Sequence, residues 1–216
     1  MINATHFVID LETMGNGPRA PIASIGAVCV AKGEIVDQFY IRVSLESSMS
    51  WELEPDASTI QWWMQQSEEA RREVSDTKTA CPLPLALTAL YDWMKPHATP
   101  DEAIVWGNGS SFDNVILRSS HEAVDQPLPW HFRNDRDLRT LLALYPAAKN
   151  VGEFEGIKHH ALHDARHEAK QLIKALDMHH MIKTRNVIAN ISADAPEILL
   201  EIAAGEIKIV DAGSKV

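Results

Sequence analysis

Five residues in three separate stretches have the types and spacing for metal-assisted hydrolysis. Asp10 and Glu12 stand in Phe7-Val8-Ile9-Asp10-Leu11-Glu12-Thr13. Asp113 closes Asn108-Gly109-Ser110-Ser111-Phe112-Asp113, and His159 precedes Asp164 in His159-His160-Ala161-Leu162-His163-Asp164. Each acid falls where an element begins or ends, next to apolar residues of the kind that fill a core. No Lys or Arg lies within four positions of Asp10, Glu12 or Asp113. Clustered carboxylates so placed need a cation. A pair of divalent ions satisfies four of them, and oxygen ligands select hard ions such as Mg2+ or Mn2+ over zinc. Two such ions suit phosphodiester hydrolysis.

Each signal has an ordinary rival. Asp10 and Glu12, two apart in a strand, point to one side and can converge on one ion, but an acidic strand end leading into a turn looks the same. Asp113 follows a glycine-interrupted strand and equally fits a helix cap. His159 on a loop near Asp164 has the proton affinity of a general base at neutral pH. The run His159, His160, His163 and His167 also reads as a solvated helix start.

These residues need elements to hold them. Thr5 to Leu11 reads as a buried strand. Ile22 to Val30 and Glu34 to Val43 read as a hairpin turned at Lys32-Gly33. Ile60, Trp63 and Met64 have helical spacing, as do Leu83, Leu87, Leu90 and Met94. Ala103 to Trp106 is another short buried strand, with a helix expected from near Ser111 or Asp113 through Val115, Ile116 and Leu117. Further helices are expected over Asp137 to Tyr145, stopped by Pro146, and from about Ala161 to Met178. Val151 to Gly156 reads as a loop. Pro196 to Ala204 suggests one more helix, and Glu206 to Val210 a short strand. The order is that of an α/β fold, a mixed sheet with an antiparallel meander flanked by helices.

At 216 residues the chain is long enough for a full core, with 45% hydrophobic and 23% charged residues as in ordinary globular proteins. Its net charge of −10 argues against tight coating of duplex nucleic acid and favours short or single-stranded substrates. Bound divalent ions would reverse the sign at the site itself. The N-terminus lacks the pattern of a signal peptide and no stretch is apolar enough for a membrane span, so a cytoplasmic location is expected. Cys29 and Cys81, the only two cysteines, read as small reduced residues, with Cys29 and Cys81 both expected to be buried.

The three acidic stretches resemble the exonuclease motifs of the DEDDh 3′–5′ exonucleases, members of the DnaQ-like superfamily with a ribonuclease-H-like fold. Asp10-x-Glu12 with Thr13, Asn108-x-x-x-Phe112-Asp113, and His159-x-x-x-x-Asp164 match them in order, and His159 rather than His160 has the required spacing. Thr59-Ile60-Gln61-Trp62-Trp63 and Asn134-Asp135-Arg136-Asp137-Leu138-Arg139-Thr140 are similar to the phage and prophage group called exonuclease VIII-like, with a related actinobacterial branch labelled exoribonuclease. The likeness runs from about residue 6 to 176. It divides the chain into an exonuclease domain over 1–180 and a C-terminal extension over 181–216.

The resemblance implies that Asp10, Glu12, Asp113 and Asp164 bind two Mg2+ or Mn2+ ions and that His159 is the general base. The reaction would release 5′-monophosphates from the 3′ ends of single-stranded DNA or RNA. Thr13 and Met14, with Glu12, would read the terminal 3′-hydroxyl. Trp62 or Trp63, one of the two at most, would stack on a base, and Phe112 is either core or a base platform. Asn108 belongs to the second motif and is placed among the substrate-binding residues. Asp137 is expected to cap a helix. A homodimer is expected, because relatives often pair. The alternative is a catalytically silent nucleic-acid-binding or assembly protein on the same fold, which the presence of all five motif residues disfavours.

Overall fold

A computed structural model of the chain describes the backbone of residues 4–194, 198–203 and 206–211 and the side chains of residues 4–185. The chain opens with three strands, β1 (His6–Thr13), β2 (Ile22–Ala31) and β3 (Glu34–Arg42). Helices α1 (Leu45–Met49), α2 (Ala57–Met64), α3 (Glu68–Ser75) and α4 (Leu83–Met94) follow. Then come β4 (Ile104–Gly107), α5 (Asp113–Ala123), β5 (Asp135–Asp137), α6 (Leu138–Leu144), α7 (Ala161–Asp194), β6 (Ile198–Ala203) and β7 (Glu206–Asp211). Two compact units divide the chain, Met1–Ala175 and Leu176–Val216.

The first unit is built on a five-stranded mixed sheet in the order β3-β2-β1-β4-β5. β1 and β2, and β2 and β3, pair antiparallel, while β1–β4 and β4–β5 are parallel. The hairpin turn is the expected one, with Lys32 at φ 54° and Gly33 at φ 79°, the positive pair that matches strand twist. β1 and β2 are central strands buried on both faces, which is why they read as continuous apolar runs. Phe7, Ile9, Ile25, Leu83, Leu87, Leu90, Ile116 and Leu117 belong to one buried core between the sheet and its helices.

Parallel pairing of β1 with β4 places both C-terminal ends at one edge of the sheet. β1 carries Asp10 and Glu12 there, and β4 leads through Gly107 to Asn108 and Asp113. The register stops at Val8 opposite Trp106, so β1 runs on beyond its partner. One backbone donor beyond that point, the Leu11 N–H, bonds Asp113.

Four features differ from the sequence expectations. β5 and the short helices α1 and α3 were not anticipated. β5 is three residues, Asp135-Arg136-Asp137, with no apolar signal, and it forms because β4 offers it an edge. α7 continues to Asp194, past the expected end at Met178, since no Gly or Pro interrupts the chain between Lys158 and Ala195. The helix expected over Pro196 to Ala204 is instead strand β6, paired antiparallel with β7 from Ile198 opposite Asp211 to Ala203 opposite Glu206. Pro196, Glu197 and Ala204 themselves lie outside the described residues. Cys81, expected to be buried, is only partly so, whereas Cys29 is fully buried and its thiol is pushed up to about 12 by burial. No described helix is long and apolar enough to cross a membrane.

One buried group makes the fold acid-sensitive. His121 on α5 is enclosed, and burial drives its imidazole down to about 4. In the unfolded chain it takes its proton near pH 6.5, so the unfolded state binds more protons between those values. Stability from this group is therefore present above pH 6.5 and lost as pH falls toward 4, by up to about 3 kcal/mol. Urea unfolding of wild type and His121→Leu at pH 7 and pH 4.5 checks this: the wild type should lose more stability on acidification than the variant.

Candidate active site

Asp113 shows how the site is assembled. It opens α5 but does not cap that helix with its side chain. Its Oδ1 accepts from the Leu11 backbone N–H at 3.1 Å and its Oδ2 from the Asn108 N–H at 3.0 Å. The first donor is one that β1 exposes past the end of β4. Asp113 thus ties β1 to the loop after β4. Room for this comes from Gly107, where a Cβ would lie 2.9 Å from Asp113 Cβ.

Asp164 is fastened in a similar way. Its Oδ2 accepts from the backbone N–H groups of His159 (2.8 Å) and His160 (3.1 Å). These bonds hold His159 in the left-handed region, at φ 64°. A histidine tolerates that conformation better than most residues, yet at a cost of about 1 kcal/mol that its surroundings must offset. The result brings a ring nitrogen of His159 and carboxylate oxygens of Glu12 and Asp164 all within 4.8 Å of one another.

The tryptophan pair divides. Trp63 is buried at 3% exposure and its Nε1 donates to Thr13 O at 2.9 Å, which fixes the chain after Glu12. Trp62 is 40% exposed, and its ring meets His159 edge-on at 4.8 Å. Of the two, Trp62 is the exposed one, and it lies beside His159. Thr13 Oγ1 donates to Gly15 O at 2.6 Å, and Met14 N donates to Pro21 O, so the turn after β1 is self-bonded. Phe112 is partly buried against the core. Asp137 accepts from Arg139 N and Thr140 Oγ1, the expected helix cap.

His160 has a different environment from its neighbour. It stacks between Tyr40 (4.5 Å) and His163 (4.0 Å), with Nε2 3.7 Å from Glu73. Glu73 is itself buried and accepts from Ser24 Oγ, Tyr40 Oη and Arg42. His160 therefore anchors the loop to β3 and α3, while His159 faces the acids.

Electrostatically the cluster is under strain. Asp10 and Glu12 are held well above the usual carboxylate range, first by burial and then by repulsion, from Glu168 and Glu12 at Asp10 and from Asp164 and Glu73 at Glu12. Burial raises Asp113 to about 6 against the pull of its backbone donors, and it raises Asp164 as well. Among the described residues no Lys or Arg forms an ion pair with any of these four.

Comparison with known proteins gives this arrangement its context. Residues 5–176 match the family described as the 3′-5′ exoribonuclease Rv2179c-like domain. The chain belongs to this family. An exodeoxyribonuclease of Enterobacteria phage T4 is 26% identical over 200 residues, covering 79% of this chain and 88% of the phage protein. The nuclease domain of 3′hExo, a DEDDh family member solved bound to rAMP, superposes with a TM-score of 0.53 at 18% identity, over 81% of this chain and 92% of that one. Exonuclease I from Methylocaldum szegediense gives 0.55 at 12% identity, over 96% and 51%. These likenesses establish the ribonuclease-H-like fold, and the family is one of 3′–5′ exonucleases.

The donor set fits the divalent cations that the family implies. Its four carboxylates lie on β1 and in the first turns of α5 and α7, Asp10 is repelled by the other three, and among the described residues none of them has a Lys or Arg ion-pair partner; such a set is stabilised by a hard cation. The sequence motifs did not include Glu168. It lies on α7, only 7% exposed, with Oε1 accepting from Asn108 Nδ2 at 2.6 Å. Asn108 links three parts of the site, since its carbonyl also accepts from Arg139 at 2.6 Å. Gly26 was also missed. It lies in β2 opposite Asp10, and a Cβ there would fall 2.1 Å from Ala161 C. The available signal was a glycine inside an apolar strand, which marks close backbone approach.

Proposed function

We propose that this chain is a divalent-metal-dependent 3′–5′ exonuclease that releases 5′-monophosphates from single-stranded DNA or RNA. In this reading Asp10, Glu12, Asp113 and Asp164 hold two Mg2+ or Mn2+ ions. His159 is the general base that takes a proton from the attacking water. The carrying observation is the convergence of His159 with Glu12 and Asp164 within 4.8 Å, on a loop that Asp164 itself holds in a left-handed turn. When bound, the cations supply charge stabilisation to the phosphoryl oxygens and to the leaving 3′ oxygen.

The remaining work falls to the chain. Asp113 and Asp164 each spend carboxylate oxygens on backbone donors and so stay fixed as the substrate arrives. Trp62 offers an aromatic face to a base near the 3′ end, a contact that tolerates any sequence. Glu12, Thr13 and Met14 line the place for the terminal 3′-hydroxyl. Residues 1–180 form the catalytic domain in this proposal, and 181–216 an extension whose pairing with a second copy would make a homodimer. Free Cys29 and Cys81 suit a reducing, cytoplasmic setting.

A time course on 5′-labelled single-stranded DNA and RNA of one sequence, with Mg2+ or Mn2+, tests the function. A ladder shortening from the 3′ end, absent in EDTA and with Asp10→Asn, is expected. No ladder on either strand, with binding intact, would move the reading to a catalytically silent binding protein. His159→Ala should lower turnover by roughly 10²–10⁴-fold, the scale of a lost general base, with Mn2+ binding largely kept. If His160→Ala were inactive and His159→Ala near wild type, the assignment of the base would be wrong.

A further inference from the structure

Glu168 follows Asp164 by one helical turn on α7, so the two side chains leave the same face. It is buried, and while its Oε1 is bonded by Asn108, its Oε2 is enclosed without a hydrogen-bond partner among the described residues. Asp113 and Asp164 repel it, and of the acids that repel Asp10 it exerts the largest effect. Arg139 attracts it, but the guanidinium is bonded to the Asn108 carbonyl rather than to the carboxylate.

A buried carboxylate oxygen with no donor, set among like charges, is costly. Packing does not require it. A glutamine would fill the same volume and could still accept from Asn108, without the charge. The charge therefore calls for a direct counter-charge, and no Lys or Arg among the described residues forms an ion pair with it.

We propose that Glu168 is a fifth carboxylate of the divalent-cation site and contributes its unpartnered Oε2 to holding the cation. This rests on the metal-dependent reading above. It adds a residue of α7 that raises cation affinity at the expense of the metal-free fold. Glu168→Gln, which keeps shape and the Asn108 acceptor, separates this from a structural role.

The experiment measures Mn2+ binding by calorimetry, and melting in EDTA, for wild type, Glu168→Gln and Asp10→Asn. Expected for Glu168→Gln is Mn2+ affinity weaker by about 10- to 100-fold, together with a higher melting temperature than wild type in EDTA. Unchanged Mn2+ affinity in Glu168→Gln, with affinity lost in Asp10→Asn, would overturn the proposal and leave the functional reading standing. A lower melting temperature in EDTA would also overturn it, since Glu168 would then be a structural acceptor. No Mn2+ binding by the wild type would overturn the functional reading and this proposal with it.

Discussion

Asp10→Asn is expected to abolish useful turnover while making the metal-free protein more stable. The two effects share one cause. Asp10 is partly buried near Glu12, Asp113, Asp164 and Glu168, and both burial and repulsion disfavour its charge. Removing that charge relieves the fold when no cation is bound. It also removes a ligand from the middle of the proposed cation site. A cation contributes several kcal/mol to charge stabilisation in the transition state, so loss of its seat should cost roughly 10³-fold or more in rate. Single-turnover rates with Mg2+, and melting curves in EDTA, check both halves. An asparagine variant that melted lower in EDTA would mean that Asp10 holds the fold together. One that kept its rate would remove Asp10 from the chemistry.

Much of this site can be read locally. Asp10 and Glu12 are two apart on a strand that the apolar run Phe7-Val8-Ile9 makes evident, and their common side follows from strand geometry. His159 and His160 differ in surroundings because one residue of register separates the acids from the Tyr40–Glu73 side, and motif spacing is what singles out His159 in the sequence. Glu168 was not legible. A glutamate four residues past an aspartate on a helix is the pattern of a solvated face, and only the packing of Asn108 against α7 shows it to be buried.

The missed elements have the same origin. β5 is made of Asp, Arg and Asp, and it is a strand only because the edge of β4 pairs it. In the C-terminal segment Ile198, Leu199 and Ile202 fit a helical period as well as a strand. Pairing of these three with Asp211, Val210 and Ile207 decides between them, and that pairing is a contact rather than a propensity. Conversely, the Lys32-Gly33 turn and the Asp137 cap were legible because each is a local hydrogen-bonding or φ requirement.

Gly26→Ala should be nearly as damaging as the loss of a catalytic group, although Gly26 has no chemistry. The first turn of α7 lies directly on β2 at this point. A methyl group on residue 26 would fall 2.1 Å from Ala161 C, 2.2 Å from Leu162 N and 2.3 Å from Ala161 O, all main-chain atoms that no rotamer can move. The start of α7 must withdraw by an ångström or more, and it carries the Asp164 carboxylate and, through that carboxylate, the His159 turn. Glu12 on β1 stays where the sheet holds it, so the three groups separate. Overpacking of this kind costs about 1–3 kcal/mol, several degrees of melting temperature for a domain of this size. A displacement of about 1 Å at reacting groups costs on the order of 10²-fold in rate. Gly17→Ala, where an added Cβ meets nothing within 4 Å, is the matched control and should be neutral in both measurements. Full activity in Gly26→Ala would show that α7 can retreat without disturbing His159 and Asp164, and that the close seat of the helix on β2 is not what sets the geometry of the site.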